Sequence, residues 1–147
     1  MSYPQTFVQA IIDEYSAPVQ IDNSLDESKP LLQRFHHVWT PDLRVLDEGG
    51  AELYRWNGYL PPAEFAAQLL VAFAHARLRL REFDLAGPLY ADALKRFPTS
   101  IVAPEAQYFA AVTAYRKSGE AKDLLHGWHQ LETTYPSTEW TVKQNFD

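Results

Sequence analysis

Two aromatic-proline pairs, Phe97-Pro98 and Tyr135-Pro136, stand 38 residues apart (135 − 97), and the same offset relates much of the sequence around them. At that spacing Leu70 matches Tyr108, Arg77 matches Tyr115, Glu82 matches Glu120, Ala86 matches Leu124, Tyr90 matches Trp128 and Ala93 matches Leu131. Proline lacks the N–H donor and clashes with the preceding helical turn, so each pair marks the end of a helical unit. Self-similarity at a fixed period implies stacked copies of one supersecondary unit, here two antiparallel helices. The first helix of the stack is expected over 62–82, with an apolar run from Phe65 to Ala76 that reads as buried. A last segment, Ser137 to Phe146, is expected to form a helix capping the open apolar end.

Before residue 62 the periodicity is mixed. Phe7, Val8, Ile11, Ile12 and Tyr15 share one stripe at helical spacing, which predicts a short amphipathic helix over 4–15, with Pro4 acceptable at its start. Pro18-Val19-Gln20-Ile21-Asp22 alternates apolar and polar residues and meets the turn-forming Asp22-Asn23-Ser24, a pattern that predicts a short strand. Ser24 or Asp26 is the expected cap of a helix through Leu31, Leu32 and Phe35. The strongest β pattern follows: Asp42 to Asp47 and Ala51 to Trp56 flank Glu48-Gly49-Gly50, which predicts a β-hairpin. The fold class is therefore α+β, with a mixed unit over 1–74 and an all-helical half over 62–147 that share the helix 62–82.

Composition narrows function more than it names one. The chain has 147 residues, 46% hydrophobic and 14% aromatic, enough for one sizeable core. The formal charge is −6, which disfavours the phosphate backbone of nucleic acids and anionic membranes as partners. No window has the roughly 20 apolar residues that span a bilayer, and the N-terminus lacks the basic and apolar stretches of a secretory signal, so a cytoplasmic protein is expected. There is no cysteine, which rules out an intrachain disulfide, a thiolate nucleophile and a zinc–thiolate site. The glycines form no phosphate-cradling pattern and no serine sits in a nucleophile elbow, so no catalytic residue or cofactor is expected.

The helical half resembles the tetratricopeptide repeat, with about four extra residues in the loop Thr99 to Ala103 and without the Trp-Leu-Gly part of that pattern. Residues 18 to 74 resemble the second half of a thioredoxin fold, on the strength of Pro18 to Asp22, Phe35-His36-His37-Val38-Trp39-Thr40-Pro41, the hairpin, and Gly58-Tyr59-Leu60-Pro61-Pro62. The latter resemblance implies a cis Thr40–Pro41 bond. In that family a strand and helix bearing Cys-x-x-Cys precede the segment aligning with residues 4–22, so a redox-inactive, N-terminally truncated unit is implied. The sheet would then be completed by direct pairing, by a second copy in a homodimer, or by another protein.

The cis-proline loop binds extended peptide in thioredoxin-like proteins, which makes Trp39, Thr40 and Pro41 candidate peptide contacts; the plainer reading is a leftover fold determinant. Arg77 and Arg81 share a helical face with Arg79 on another, and a carboxylate clamp for a peptide tail competes with simple pairing to Glu82 or Asp84. His126 and His129 at i, i+3, with Asp123 one turn before, are a surface pair rather than a metal site. The function expected from these readings is a non-catalytic protein-interaction or scaffold module whose partner is a protein or peptide, or a second copy of the chain. The alternative is an accessory of a thiol–disulfide system whose cysteine-bearing segment comes from a partner or an upstream segment.

Overall fold

The computed structural model describes residues 2–145. Helix α1 (Thr6–Tyr15) is followed by a 3-10 turn at Asp26–Ser28 and helix α2 (Lys29–Arg34), then by strands β1 (Asp42–Leu46) and β2 (Glu52–Asn57). Five helices complete the chain: α3 (Pro62–Arg79), α4 (Phe83–Arg96), α5 (Ala103–Ser118), α6 (Ala121–Thr134) and α7 (Glu139–Gln144). The architecture is α+β, and among the described residues the sheet has two strands.

Helix α3 organises the molecule. Every residue from Phe65 to Ala76 is buried, because α1, the hairpin, α4 and α5 each cover part of its circumference. A helix apolar on all sides is stable only in such a central position. Val8 and Ile11 of α1 are buried in the same core, and Tyr15 packs near Phe73 with ring centroids 5.9 Å apart. On the hairpin, Leu43 pairs with Trp56 and Val45 with Tyr54, and these apolar pairs face α3 while Arg44 and Arg55 face away. The turn is held by Asp47, whose Oδ1 accepts from the N–H groups of Gly49 (2.9 Å) and Ala51 (2.8 Å).

The repeat is visible in the backbone. Shifting α4 by 38 residues superposes its limits on those of α6. Phe97 (φ −133°, ψ 55°) and Tyr135 (φ −127°, ψ 57°) close the two helices in nearly the same conformation, with N–H groups bonded to Ala93 and Leu131 at 2.9 and 2.8 Å. The Tyr135 hydroxyl donates to the Pro98 carbonyl at 2.7 Å, which ties the end of one unit to the end of the other. Short connections at 80–82 and 119–120 make the helices of each unit antiparallel neighbours. Gly127 lets α5 and α6 approach closely: a Cβ there would lie 2.5 Å from the Ala111 Cβ. Helix α7 packs on α5 and α6, and Phe146, the end of the helix expected over 137–146, lies outside the described residues.

Three sequence expectations are corrected. Residues 18–22 form no strand: Val19 is 80% exposed and the segment has no ladder partner among the described residues. Alternation over five residues makes a strand only if a neighbour supplies hydrogen bonds, and β1 pairs with β2 alone. Ser24 caps no helix, because Asp22 Oδ1 accepts from its N–H (2.8 Å) and its hydroxyl (2.6 Å), and the 3-10 turn starts after Leu25. Helix α3 ends at Arg79 rather than Glu82. The N–H of Glu82 bonds to the Arg77 carbonyl (2.9 Å) and that of Arg81 to the Leu78 carbonyl (3.0 Å), with Arg81 left-handed at φ +63°. These two bonds make a Schellman stop in which arginine occupies the position glycine usually takes.

Candidate functional site

The C-terminal end of α3, strand β2, helix α5 and helix α7 enclose an open cavity of about 530 Å³. Its α5 wall is a single helical stripe, Glu105, Phe109, Val112 and Arg116, spaced four, three and four residues apart. The α3 side contributes His75, Leu78 and Arg79, the turn after it Arg81 and Phe83, and the two ends are closed by Tyr54 of β2 and Trp140 of α7.

The floor is a saturated polar network. Glu105 is a carboxylate and only accepts, so His75 Nε2–H donates to its Oε1 at 2.8 Å, and with the ring neutral the Tyr90 hydroxyl donates to Nδ1 at 2.9 Å. The Tyr54 ring stacks on His75 at 4.9 Å, and Phe109 meets it edge-on at 4.5 Å. Burial, followed by the Glu105 and Tyr54 charges, pushes the Tyr90 hydroxyl far above its ordinary range, and Arg79 partly opposes this. Hydroxyl, imidazole and carboxylate are thus in line, as in a nucleophilic triad. Tyr90 is completely buried and holds its proton, so the network serves as architecture.

The arginines on the rim are in a different state. Among the described residues, eight of the 13 lysines and arginines form ion pairs with carboxylates. Of the other five, Arg34 donates to the Gly50 carbonyl and Lys95 lies exposed on α4, whereas Arg79, Arg81 and Arg116 all line the cavity. Arg116 lies over the Phe83 ring, 5.8 Å from its centroid.

The five residues singled out from sequence do not converge. Trp39, Thr40 and Pro41 form the loop before β1, where the Thr40–Pro41 bond is cis, as expected. Trp39 is 70% exposed, and Thr40 Oγ1 is held by Asn23 Nδ2 (2.9 Å) and His37 Nε2 (3.3 Å). The Pro41 carbonyl bonds to Gly58, beside the Trp56 that touches Phe65 near the start of α3. From Phe65 to His75 is about 15 Å along a helix, so this loop lies at the opposite end from the cavity. Arg77 pairs with Glu82 at 2.8 Å and does not line the cavity, but Arg81 does. Arg79, which sequence spacing separates from Arg81, joins it because the helix has already ended. His75, Glu105, Phe109, Arg116, Tyr54 and Trp140 complete a site that sequence reasoning missed, although the 105-109-112-116 stripe is a readable signal. Among the described residues no three His, Cys, Asp or Glu gather closely enough to hold a metal ion, and no helix is long and apolar enough to cross a membrane.

No family model matches the chain, and neither the curated proteins nor the solved structures include a match to it.

Proposed function

We propose that this chain is a non-catalytic protein-interaction module that seats a peptide segment of a partner protein in the cavity between β2, α3, α5 and α7. One observation carries the reading: the cavity is open and walled by Tyr54, Phe83, Phe109 and Trp140, while its one hydroxyl–imidazole–carboxylate arrangement is consumed internally. Aromatic walls give a partner side chain large contact area at small entropic loss, and a volume of this order suits a few residues of peptide. With no cysteine in the chain, the module is redox-inactive as regards thiols. The test is a panel of synthetic peptides titrated onto the intact chain while the indole N–H resonance of Trp140 is followed by NMR. Shifts of that resonance that saturate, and a loss of binding in Trp140→Ala, are expected. A panel that leaves it unmoved overturns the reading.

The hairpin favours a second contact surface. Its two strands lack a third among the described residues, and Val38 and Trp39 stand 88% and 70% exposed beside it. Open edges pair readily with a strand from another chain. On this reading a second copy, or a cysteine-bearing protein for which this chain is the accessory, completes the sheet.

A further inference from the structure

We infer that the partner segment seated in the cavity is acidic, with two or more carboxylates placed around an aromatic side chain. The inference rests on the peptide-binding reading above and adds the chemistry of the partner.

The first support is a charge balance resolved residue by residue. Three carboxylates lie on or next to the cavity in sequence; Glu82 and Asp84 are neutralised by cations outside its lining, and Glu105 alone keeps its charge on the wall. Glu105 accepts from His75 (2.8 Å), Glu82 from Arg77 (2.8 Å), and Asp84 from Lys117 (2.5 Å). Among the described residues Arg79, Arg81 and Arg116 form no ion pair, so the cavity gathers three guanidinium groups against the one carboxylate of Glu105, although the chain carries 19 acidic residues and a net charge of −6. Like charges gathered on one concave surface repel one another, and an anionic ligand relieves that repulsion while gaining charge-assisted hydrogen bonds. Guanidinium groups suit carboxylates because their planar N–H pairs meet both oxygens at once.

The second support is conformational and independent of charge. Arg81 sits at φ +63°, in the left-handed region where a side chain is disfavoured and glycine is not. A turn with only a structural task is better served by glycine. Arginine at this point adds a cationic side chain to the cavity lining at a cost in backbone energy, as residues in sparsely populated conformations commonly do at binding sites.

Trp140 and Phe109 lie edge to face with centroids 5.3 Å apart, and with Tyr54 they give the cavity an aromatic lining that suits one ring. The rest of the surface is acidic and repels a long polyanion, so a nucleic acid fits poorly and a short acidic stretch fits well.

The experiment uses the intact chain and two blocked peptides, Glu-Asp-Phe-Glu-Asp and its amide counterpart Gln-Asn-Phe-Gln-Asn, with binding read by calorimetry and by the Trp140 indole resonance. The acidic peptide is expected to bind at least tenfold more tightly, and more weakly as salt is raised. Arg79→Ala and Arg116→Ala are each expected to weaken it about tenfold, the equivalent of one charge-assisted contact. Arg81→Gly, whose backbone suits glycine, keeps the fold and weakens binding by a similar factor, while Lys95→Ala, at an exposed position on α4 outside the cavity lining, leaves it unchanged. Equal affinity of the two peptides at Trp140 overturns the acidic inference and leaves the module reading intact. Acidic binding indifferent to all three arginines overturns it too, because the carboxylates then bind elsewhere. If neither peptide moves Trp140, the inference fails together with the reading it rests on.

Discussion

His75 links the interior to the cavity, with Tyr90 on its buried side and Glu105 toward the opening. Tyr90→Phe keeps the ring and leaves Nδ1 without its donor, so a loss of about 1–3 kcal/mol is expected in urea unfolding, the usual result when a buried polar group loses its partner. Asp42 makes a pH-dependent contribution on the far side of the hairpin. Burial pushes its carboxyl up, but hydrogen bonds from Arg44 and His37 outweigh this and hold it below its ordinary value. A carboxyl held low in the folded state stabilises above its unfolded pKa of about 3.9, and that contribution fades as pH falls through the lower folded value. Asp42→Asn is therefore expected to lower stability at pH 7 and to lose less on further acidification than the parent below about pH 4. Parallel unfolding midpoints for the two chains across that range would refute the assignment. Arg81→Gly is expected to raise the unfolding midpoint, because the left-handed region disfavours a side chain by about 1–2 kcal/mol.

Among the elements, the stacked helices are sensitive at one glycine and tolerant at another. Gly127→Ala places a Cβ 2.5 Å from the Ala111 Cβ and 3.0 Å from its Cα, so α5 and α6 must separate, and overpacking of this kind costs about 1–3 kcal/mol. Gly87→Ala meets nothing nearer than Thr113 Cγ2 at 3.9 Å, and in mid-helix it is expected to stabilise by about 0.5–1 kcal/mol. Opposite shifts in thermal midpoint for this pair would confirm the packing; equal shifts would contradict it. The contrast also shows what sequence conveys. Helices α4 and α6 were legible because aromatic-Pro stops and a fixed offset mark them locally, and the hairpin because its turn needs the glycines it has. The strand expected at 18–22 required a neighbour, a non-local condition that alternation cannot report. The end of α3 was hidden because its stop is made by Arg81, which carries no glycine or proline signal. That hidden end separated Arg79 from Arg81 in the sequence reading and concealed one of the three arginines of the rim. Tyr54 and Trp140 reach the same cavity from 86 residues apart (140 − 54), a proximity visible only once α3 and α5 are packed.

At the scale of the whole molecule, the hairpin and the helical stack share α3 and are expected to melt together. Helix content by circular dichroism and tertiary packing by tryptophan fluorescence should report one midpoint in denaturant; two resolved midpoints would show that the halves fold separately. The solution mass decides how the sheet edges are used. A particle of twice the chain mass of 16.8 kDa, reduced to one by a proline placed at Arg44, is expected if a second copy completes the sheet. A strict monomer at micromolar concentration leaves those edges to a different protein. The shared helix has a practical consequence for anyone cutting this gene. Neither a fragment ending before Pro62 nor one beginning after Arg79 retains the surface on which its own apolar side chains rest, so domain-swap chimaeras built at those seams should yield insoluble product, and a splice that succeeds will have to carry α3 along with whichever half is moved.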